Sequence, residues 1–148
     1  MVKIEARAYG PDSTEEEKQA IRDRIRIRPD GIVHWDEMPV GGIYHLTLFD
    51  EQFSRLLEPG RQYGMIVNLT GVGRPNAAYR DALRDYMTSI HDRFYHIAIV
   101  TGKGPLINLS AKIVVSIWNL WNFSLETTYQ DAEDKLEHVL RKQASVAQ

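Results

Sequence analysis

The sequence contains no cysteine, and neither sign of charge is in clear excess. Without cysteine the chain cannot form a disulfide scaffold, a thiolate nucleophile or a zinc site with sulfur ligands. Lys and Arg number 18 against 20 Asp and Glu, which gives a net charge of -2. Nucleic-acid-binding domains normally carry a basic excess, so this class of function is not expected. The N-terminus lacks the apolar stretch of a signal peptide, and we expect a cytoplasmic protein.

Apolar residues make up 43% of the 148 residues, which is typical of a globular protein of one domain. The only charge-dense stretch lies near the N-terminus, where Glu15, Glu16 and Glu17 follow Ser13 and Thr14. Acidic residues stabilise the first turn of a helix, and Ser or Thr caps it. We therefore predict a helix that ends at about residue 21, within an N-terminal extension of residues 1–24.

A β-hairpin is predicted after this extension. Pro29, Asp30 and Gly31 form a tight-turn signal between two segments that are rich in β-branched residues. Residues 25–28 and 32–36 are therefore predicted to pair with each other.

The segment after the hairpin changes from a strand pattern to a helix pattern. Residues 43–46 are predicted to form another short strand, or to continue a bent one. Thr47 and Asp50 have the spacing of a capping box with a shorter acid, so a helix is predicted to begin there. Its apolar face consists of Phe49, Phe53, Leu56 and Leu57.

Two further segments have the apolar density of strands buried on both faces, residues 65–69 and 96–100. The strongly amphipathic residues 76–93 lie between them and predict a helix, with Asn76 as a candidate cap. Because a helix that joins two strands of one sheet forms a right-handed crossover, we expect these strands to be parallel neighbours. A last strand is predicted within residues 123–129.

Residues 131–142 are predicted to form the last helix, and residues 143–148 a frayed tail. Strands and helices therefore alternate after the opening hairpin. This order predicts a single-domain α/β fold with a mixed sheet.

Residues 67–72 read V-N-L-T-G-V, which resembles the end of a strand in STAS domains, the sulfate-transporter and anti-sigma-factor-antagonist family. The order of the later elements and the acidic helix start at 131–133 are most similar to the SpoIIAA-like branch of that family. The resemblance covers residues 25–142. It implies a STAS-like sheet with helices mainly on one face, and a binding or regulatory role without catalysis.

The phosphorylation switch of the family is missing at the matching positions. Anti-sigma-factor antagonists carry D-S-S-G at the start of the next helix, where a partner kinase phosphorylates a serine. Counting from the shared motif, these positions hold Asn76, Ala77, Ala78 and Tyr79. Since alanine has no hydroxyl group, no phosphate is expected at this place.

The turn after the second buried strand is a candidate anion or ligand site. Gly102, Lys103 and Gly104 lie between a predicted strand and a predicted helix. Backbone amides at a helix start, together with one lysine, suit a phosphate or a carboxylate. The spacing differs from the phosphate-loop pattern G-x-x-x-x-G-K-[ST], so a tight connecting turn is the favoured interpretation.

The remaining polar residues show no catalytic or metal-binding pattern. None of the five histidines stands at ligand spacing, and His34 and His45 lie on separate predicted strands. Asp36 and Glu37 are neighbours in sequence and are expected to be solvated. We therefore predict no metal, no cofactor and no enzymatic activity.

Residues 106–123 form the least ordinary stretch of the sequence. As a helix, this segment has a narrow polar stripe and is apolar around the rest of its circumference. Its Lys and Asn residues argue against a transmembrane span. Something must cover this wide apolar surface. Coverage by other parts of the same domain and coverage by a second subunit are equally favoured, and binding of an apolar ligand or a membrane surface is less favoured. The candidate face consists of Ile117, Trp118, Trp121 and Phe123.

These features predict a non-enzymatic binding or regulatory module that acts through protein contacts. We expect a homodimer that buries the face near Trp118, Trp121 and Phe123 in a two-fold contact, with a further protein partner as an option. The alternative function is a carrier or sensor of a small apolar or anionic ligand. A flat apolar face favours the protein contact, and a deep cavity favours the carrier.

Overall fold

The computed structural model describes residues 2–73, 76–102 and 122–147. The strands are β1 (Ile25–Ile27), β2 (Ile32–Asp36), β3 (Tyr63–Asn68), β4 (Phe94–Val100) and β5 (Phe123–Glu126). The helices are α1 (Glu15–Arg22), α2 (Ile43–Leu56), α3 (Ala77–Ile90) and α4 (Tyr129–Ala147), and a short 3-10 turn (His91–Arg93) joins α3 to β4.

The five strands form one sheet in chain order, β1-β2-β3-β4-β5. β1 is antiparallel to β2, and the other strands are parallel to one another. The α/β class with a mixed sheet is therefore confirmed, as are the predicted hairpin and the parallel pairing of β3 with β4. The hairpin turn uses Gly31 at a φ of +84°, a conformation that favours glycine. Its N–H donates to the carbonyl of Arg28 at 3.0 Å.

The predicted caps of α1 and α3 are confirmed. Thr14 forms a capping box with Glu17, in which each side chain accepts a hydrogen bond from the backbone N–H of the other residue. Asn76 caps α3, because its side-chain oxygen accepts from the N–H of Tyr79 at 2.7 Å. Two short polar sequence signals therefore fix where these helices begin.

α2 begins one turn earlier than the sequence pattern predicts. Residues 43–46 are helical, so the strand predicted there is wrong, and Thr47 lies inside α2 rather than at its cap. Gly42 is the N-cap residue, with an extended backbone. The buried face of α2 continues back to Leu46, and burial of this face outweighs the β-propensity of Ile43.

Three of the four described helices pack on one face of the sheet. α1, α2 and α3 enclose the main core, whose largest buried side chains are Trp35, Phe49, Phe53, Tyr63 and Phe94. The opposite face is covered by α4, and the residues of this smaller core are Ile66, Tyr95, Ala98, Val100, Ala132 and Leu136.

The structure differs from the sequence prediction at the start of β5 and at the end of α4. Phe123 is the first residue of β5 and pairs with Ile97, so the prediction that a long helix reaches Phe123 is wrong. The strand predicted within residues 123–129 is confirmed, and its ladder with the neighbouring strand β4 accounts for the change. α4 continues to Ala147, so residues 143–147, predicted to fray, are helical. Of the described helices, none is long and apolar enough to cross a membrane.

Candidate functional site

Polar side chains meet inside the protein beyond the carboxyl end of β2. In open α/β sheets, ligands bind beyond the carboxyl ends of the parallel strands, so a functional site is expected at this edge. Glu37 follows the last residue of β2, while His45 lies in the first turn of α2 and Tyr79 in the first turn of α3. Their side chains are almost fully buried, with exposed fractions of 4%, 1% and 2% for the three residues.

Hydrogen bonds join these three residues into one buried cluster. The hydroxyl of Tyr79 donates to Oε2 of Glu37 at 2.7 Å, and the backbone N–H of Met38 donates to Oε1 at 2.7 Å. Nε2 of His45 lies 2.9 Å from the Tyr79 oxygen and 3.2 Å from Oε1 of Glu37. The Glu37 carboxylate, the Tyr79 hydroxyl and Nε2 of His45 therefore have partners, which offsets the cost of removing these groups from water.

The network also assigns the protons of the cluster. Tyr79 has one hydroxyl proton and uses it on Glu37, so its oxygen accepts from His45. This requires Nε2 of His45 to carry a proton. Burial, followed by the negative charge of Glu37, raises the pKa of Tyr79 far above its usual range. A phenol held in its neutral form is a poor nucleophile, and the cluster is better suited to linking segments than to reacting.

Close packing and a backbone bond connect the two loops above the cluster. Gly41 lies against the ring of Tyr79, and a Cβ atom at this position would approach Cδ1 of the ring to 2.5 Å. Only glycine fits without a shift of the ring or the loop. The N–H of Gly73 donates to the carbonyl of Pro39 at 3.1 Å. The loop from β2 to α2 and the loop from β3 to α3 are therefore held together.

The described parts of these loops and of the helices that follow them expose a set of small or apolar residues, and we name this set the contact rim. It consists of Val40, Ile43, Gly73, Ala77 and Ala78, all of which are exposed. Val40 and Ile43 are 36% and 57% exposed and are among the few large apolar residues on the described surface. No side chain of residues 39–43, 70–73 and 76–78 is ionisable. The contact rim thus exposes apolar area, and the backbone that carries it is held by the Gly73–Pro39 bond and by the packing of Gly41 on Tyr79.

A second histidine lies under α4 and is paired with a serine. Nε2 of His96 lies 2.7 Å from Oγ of Ser124 on the neighbouring strand β5. Burial, followed by the charge of Lys135, lowers the pKa of His96 to about 4. The imidazole is therefore neutral near pH 7, and the nearby ammonium group opposes its protonation. Such a pair is poorly suited to act as nucleophile and general base.

The structure places only part of the sequence-predicted site residues. Gly102 follows the end of β4 with a φ of +74° and lies beside Thr70. Lys103 and Gly104 lie outside the described residues, so the anion-binding turn stays a prediction. Ala77 and Ala78 occupy the exposed first turn of α3, and their match to the phosphorylated positions of the STAS family stays a prediction.

The predicted interface face is described at one position only. Ile117, Trp118 and Trp121 lie outside the described residues. Phe123 is half-buried and packs against the main core, from β5. Its place in an interface therefore stays a prediction.

Sequence reasoning missed the buried cluster. Glu37 was expected to be solvated, and this is wrong because Tyr79, His45 and the N–H of Met38 provide hydrogen bonds inside the protein. A signal existed for His45, which lies four residues before Phe49 and therefore on the apolar face of α2. No local pattern marks Glu37, because its partners lie far away in the sequence.

Among the residues that the structure describes, no group of three His, Asp or Glu residues is placed to hold a metal ion. No protein-family model and no curated protein sequence matches the chain. The STAS resemblance therefore rests on residues 67–72 and on the order of elements, of which the structure supports the α/β class.

Proposed function

We propose that the protein is a non-enzymatic binding module that acts through protein contacts, and that the contact rim is the surface it uses. The observation that carries this proposal is a set of exposed small or apolar residues, none of them ionisable, on the described parts of two loops that are hydrogen-bonded from below. Apolar surface favours association because contact removes it from water. Since hydrogen bonds hold the described parts of these loops in the free protein, association is expected to cost little further conformational entropy there.

The occupant that this surface fits best is a second copy of the chain. In a two-fold contact the same surface occurs on both subunits, so a charged surface would bring like charges together. The described part of the contact rim has no ionisable side chain and avoids this repulsion. A symmetric homodimer is therefore compatible with its charge and its apolar character.

The contact rim includes the helix start that resembles the phosphorylated region of anti-sigma-factor antagonists. Here the first turn of α3 offers Ala77 and Ala78 instead of hydroxyl groups. We propose that this contact is constitutive, because the serines by which phosphorylation would add negative charge to this surface are missing.

Incubation with an anti-sigma kinase and ATP is expected to leave the peptide of residues 74–84 unmodified. The reason is chemical, since the two alanines cannot accept a phosphoryl group. Mass spectrometry of the digested protein measures this directly, with a serine-containing antagonist as the positive control. A phosphate on this peptide, for instance on Tyr79, would contradict the proposed loss of the switch.

Ile43→Glu is expected to weaken self-association by at least about tenfold, because it places a charge opposite its own copy in an apolar contact. Light scattering over a range of micromolar concentrations measures the effect. Ser54→Glu is the matched control, since it adds the same charge to an exposed position of α2 several turns away. This control is expected to associate like the wild type.

The same experiment separates the contact rim from the other candidates. A wild type that stays monomeric at every concentration contradicts the proposed homodimer. If Trp121→Ala dissociates the dimer and Ile43→Glu does not, the contact lies on the sequence-predicted face and the contact rim is wrong. Native mass spectrometry of the purified protein adds one more outcome, because a monomer that retains a small molecule supports the ligand carrier instead.

A further inference from the structure

We infer that the hydroxyl group of Tyr79 is a positioning group that holds the contact rim in its binding arrangement through Glu37 and His45. This inference rests on the proposed function and deepens it. Tyr79 connects the first turn of α3 to Glu37 at the end of β2 and to His45 in the first turn of α2. One hydroxyl oxygen therefore links the three segments that carry or support the contact rim.

The cluster is attached to a fixed point of the sheet. The backbone N–H of Glu37 donates to the carbonyl of Asn68 on β3 at 3.2 Å. From the other side, the guanidinium of Arg24 donates to the carbonyls of Asp36 and Glu37 at 2.8 and 2.9 Å. The backbone of Glu37 is thereby held by both neighbouring parts of the protein. The hydroxyl of Tyr79, which donates to the carboxylate of Glu37, is therefore held in a fixed position relative to the sheet.

The polar character of the cluster supports a positioning role. Replacing buried polar groups by apolar residues of similar shape is often neutral or stabilising, so such a cluster is weak evidence for stability alone. Hydrogen bonds are directional and specify one arrangement, whereas apolar contacts tolerate sliding. The ring of Tyr79 also lies against Gly41, so a displacement of Tyr79 moves the loop that carries Val40.

The contact rim contains no other described side-chain link of this kind. Its members are small or apolar, and the described loops that carry it are also held by the cap residue Asn76, by backbone bonds such as that from Gly73 to Pro39, and by the side chain of Asn68, which accepts from Thr70. None of these bonds uses the Tyr79 hydroxyl, so they stay intact when it is removed. The effect of this hydroxyl can therefore be measured separately.

Tyr79→Phe tests the inference, because it keeps the ring against Gly41 and removes only the hydroxyl. Hydrogen exchange followed by mass spectrometry is expected to show about tenfold faster exchange in the segments 38–43 and 77–80, at their hydrogen-bonded amides Met38, Tyr79 and Arg80, with the rest of the chain unchanged. Self-association is expected to weaken by about tenfold in the same variant. The matched control is Tyr86→Phe on the same helix, which removes a hydroxyl bond to Oδ1 of Asp50 at 3.2 Å. This control is expected to change neither readout at the contact rim.

Gly41→Ala is a second variant, which displaces Tyr79 from the other side and keeps its hydroxyl. It is expected to accelerate exchange in the same two segments. Unchanged exchange there in Tyr79→Phe overturns the inference, even if the wild type dimerises. Faster exchange across the whole chain also overturns it, because Tyr79 then acts on global stability only. A monomeric wild type with locally faster exchange in both variants supports the link between the loops and contradicts the proposed function.

Discussion

Glu37→Ala is expected to lower the free energy of unfolding by about 3 kcal/mol or more. The substitution leaves the hydroxyl of Tyr79, Nε2 of His45 and the N–H of Met38 without their shared acceptor. These groups are buried, and alanine provides no acceptor in place of the carboxylate. Urea denaturation followed by tryptophan fluorescence measures the change, with an unchanged dependence on urea as the sign of intact two-state unfolding.

Asp50→Ala is the matched control for this experiment. Asp50 also accepts a hydrogen bond from a tyrosine of α3, but it is exposed, so its loss is expected to cost less than about 1 kcal/mol. In a double-mutant cycle, Glu37→Ala and Tyr79→Phe are expected to be coupled by about 1 kcal/mol or more, since removal of the hydroxyl relieves part of the unmet hydrogen bonding. Additive effects would show that the two groups do not interact in solution.

Trp35→Ala is expected to cost about 3–5 kcal/mol, which is the usual range for a buried large aromatic residue. Trp35 is 1% exposed and is the largest fully buried side chain of the main core. Its ring makes edge contacts with Phe49 and Phe53 of α2 and with Tyr86 of α3, at centroid distances of 5.4, 5.6 and 6.3 Å. The substitution therefore removes the contact that joins β2 to both crossover helices.

Trp35→Phe is the informative companion variant. The indole Nε1 of Trp35 is buried and has no hydrogen-bond partner in the described part of the chain. Phenylalanine removes this unmet donor and keeps most of the aromatic surface, so we expect less than half the cost of the alanine variant. Thermal unfolding followed by circular dichroism is suitable here, because the substitutions alter the tryptophan signal. Equal costs for the two variants would contradict this account of the core.

Most of the regular elements could be predicted because their signals are local. Pro29, Asp30 and Gly31 mark the hairpin turn, and Thr14 and Asn76 mark the beginnings of two helices. The buried strands stand out by apolar density, and the amphipathic helix between them requires a parallel crossover. In these regions local preference and tertiary packing favour the same structure.

The start of α2 could not be predicted from local preference. Residues 43–46 contain β-formers, and the capping-box spacing at Thr47 favours a later helix start. The structure extends the helix back because His45 and Leu46 are buried against elements that are distant in sequence. Burial of His45 and Leu46 in the folded protein therefore outweighs the local capping signal at Thr47.

The buried cluster was hidden for a related reason. Glu37, His45 and Tyr79 come from three elements, and their meeting depends on how two crossover helices begin at the same edge of the sheet. A sequence-neighbour rule treats Glu37 together with Asp36, although the two carboxylates have different surroundings. Asp36 bonds to the exposed Arg26, while Glu37 points into the protein.

The two-sided covering of the sheet has a consequence for synthesis on the ribosome. α2 and α3 lie between the strands in the chain and can cover their face as soon as those strands emerge. Among the described elements, the one that covers the other face, which includes Ile66, Ala98 and Val100, is α4, and it is translated after all five strands. Because chains leave the ribosome N-terminus first, this apolar face stays open to chaperones until α4 has emerged. The nascent sheet is therefore expected to be a chaperone substrate on one side only, and to lose that property when α4 docks.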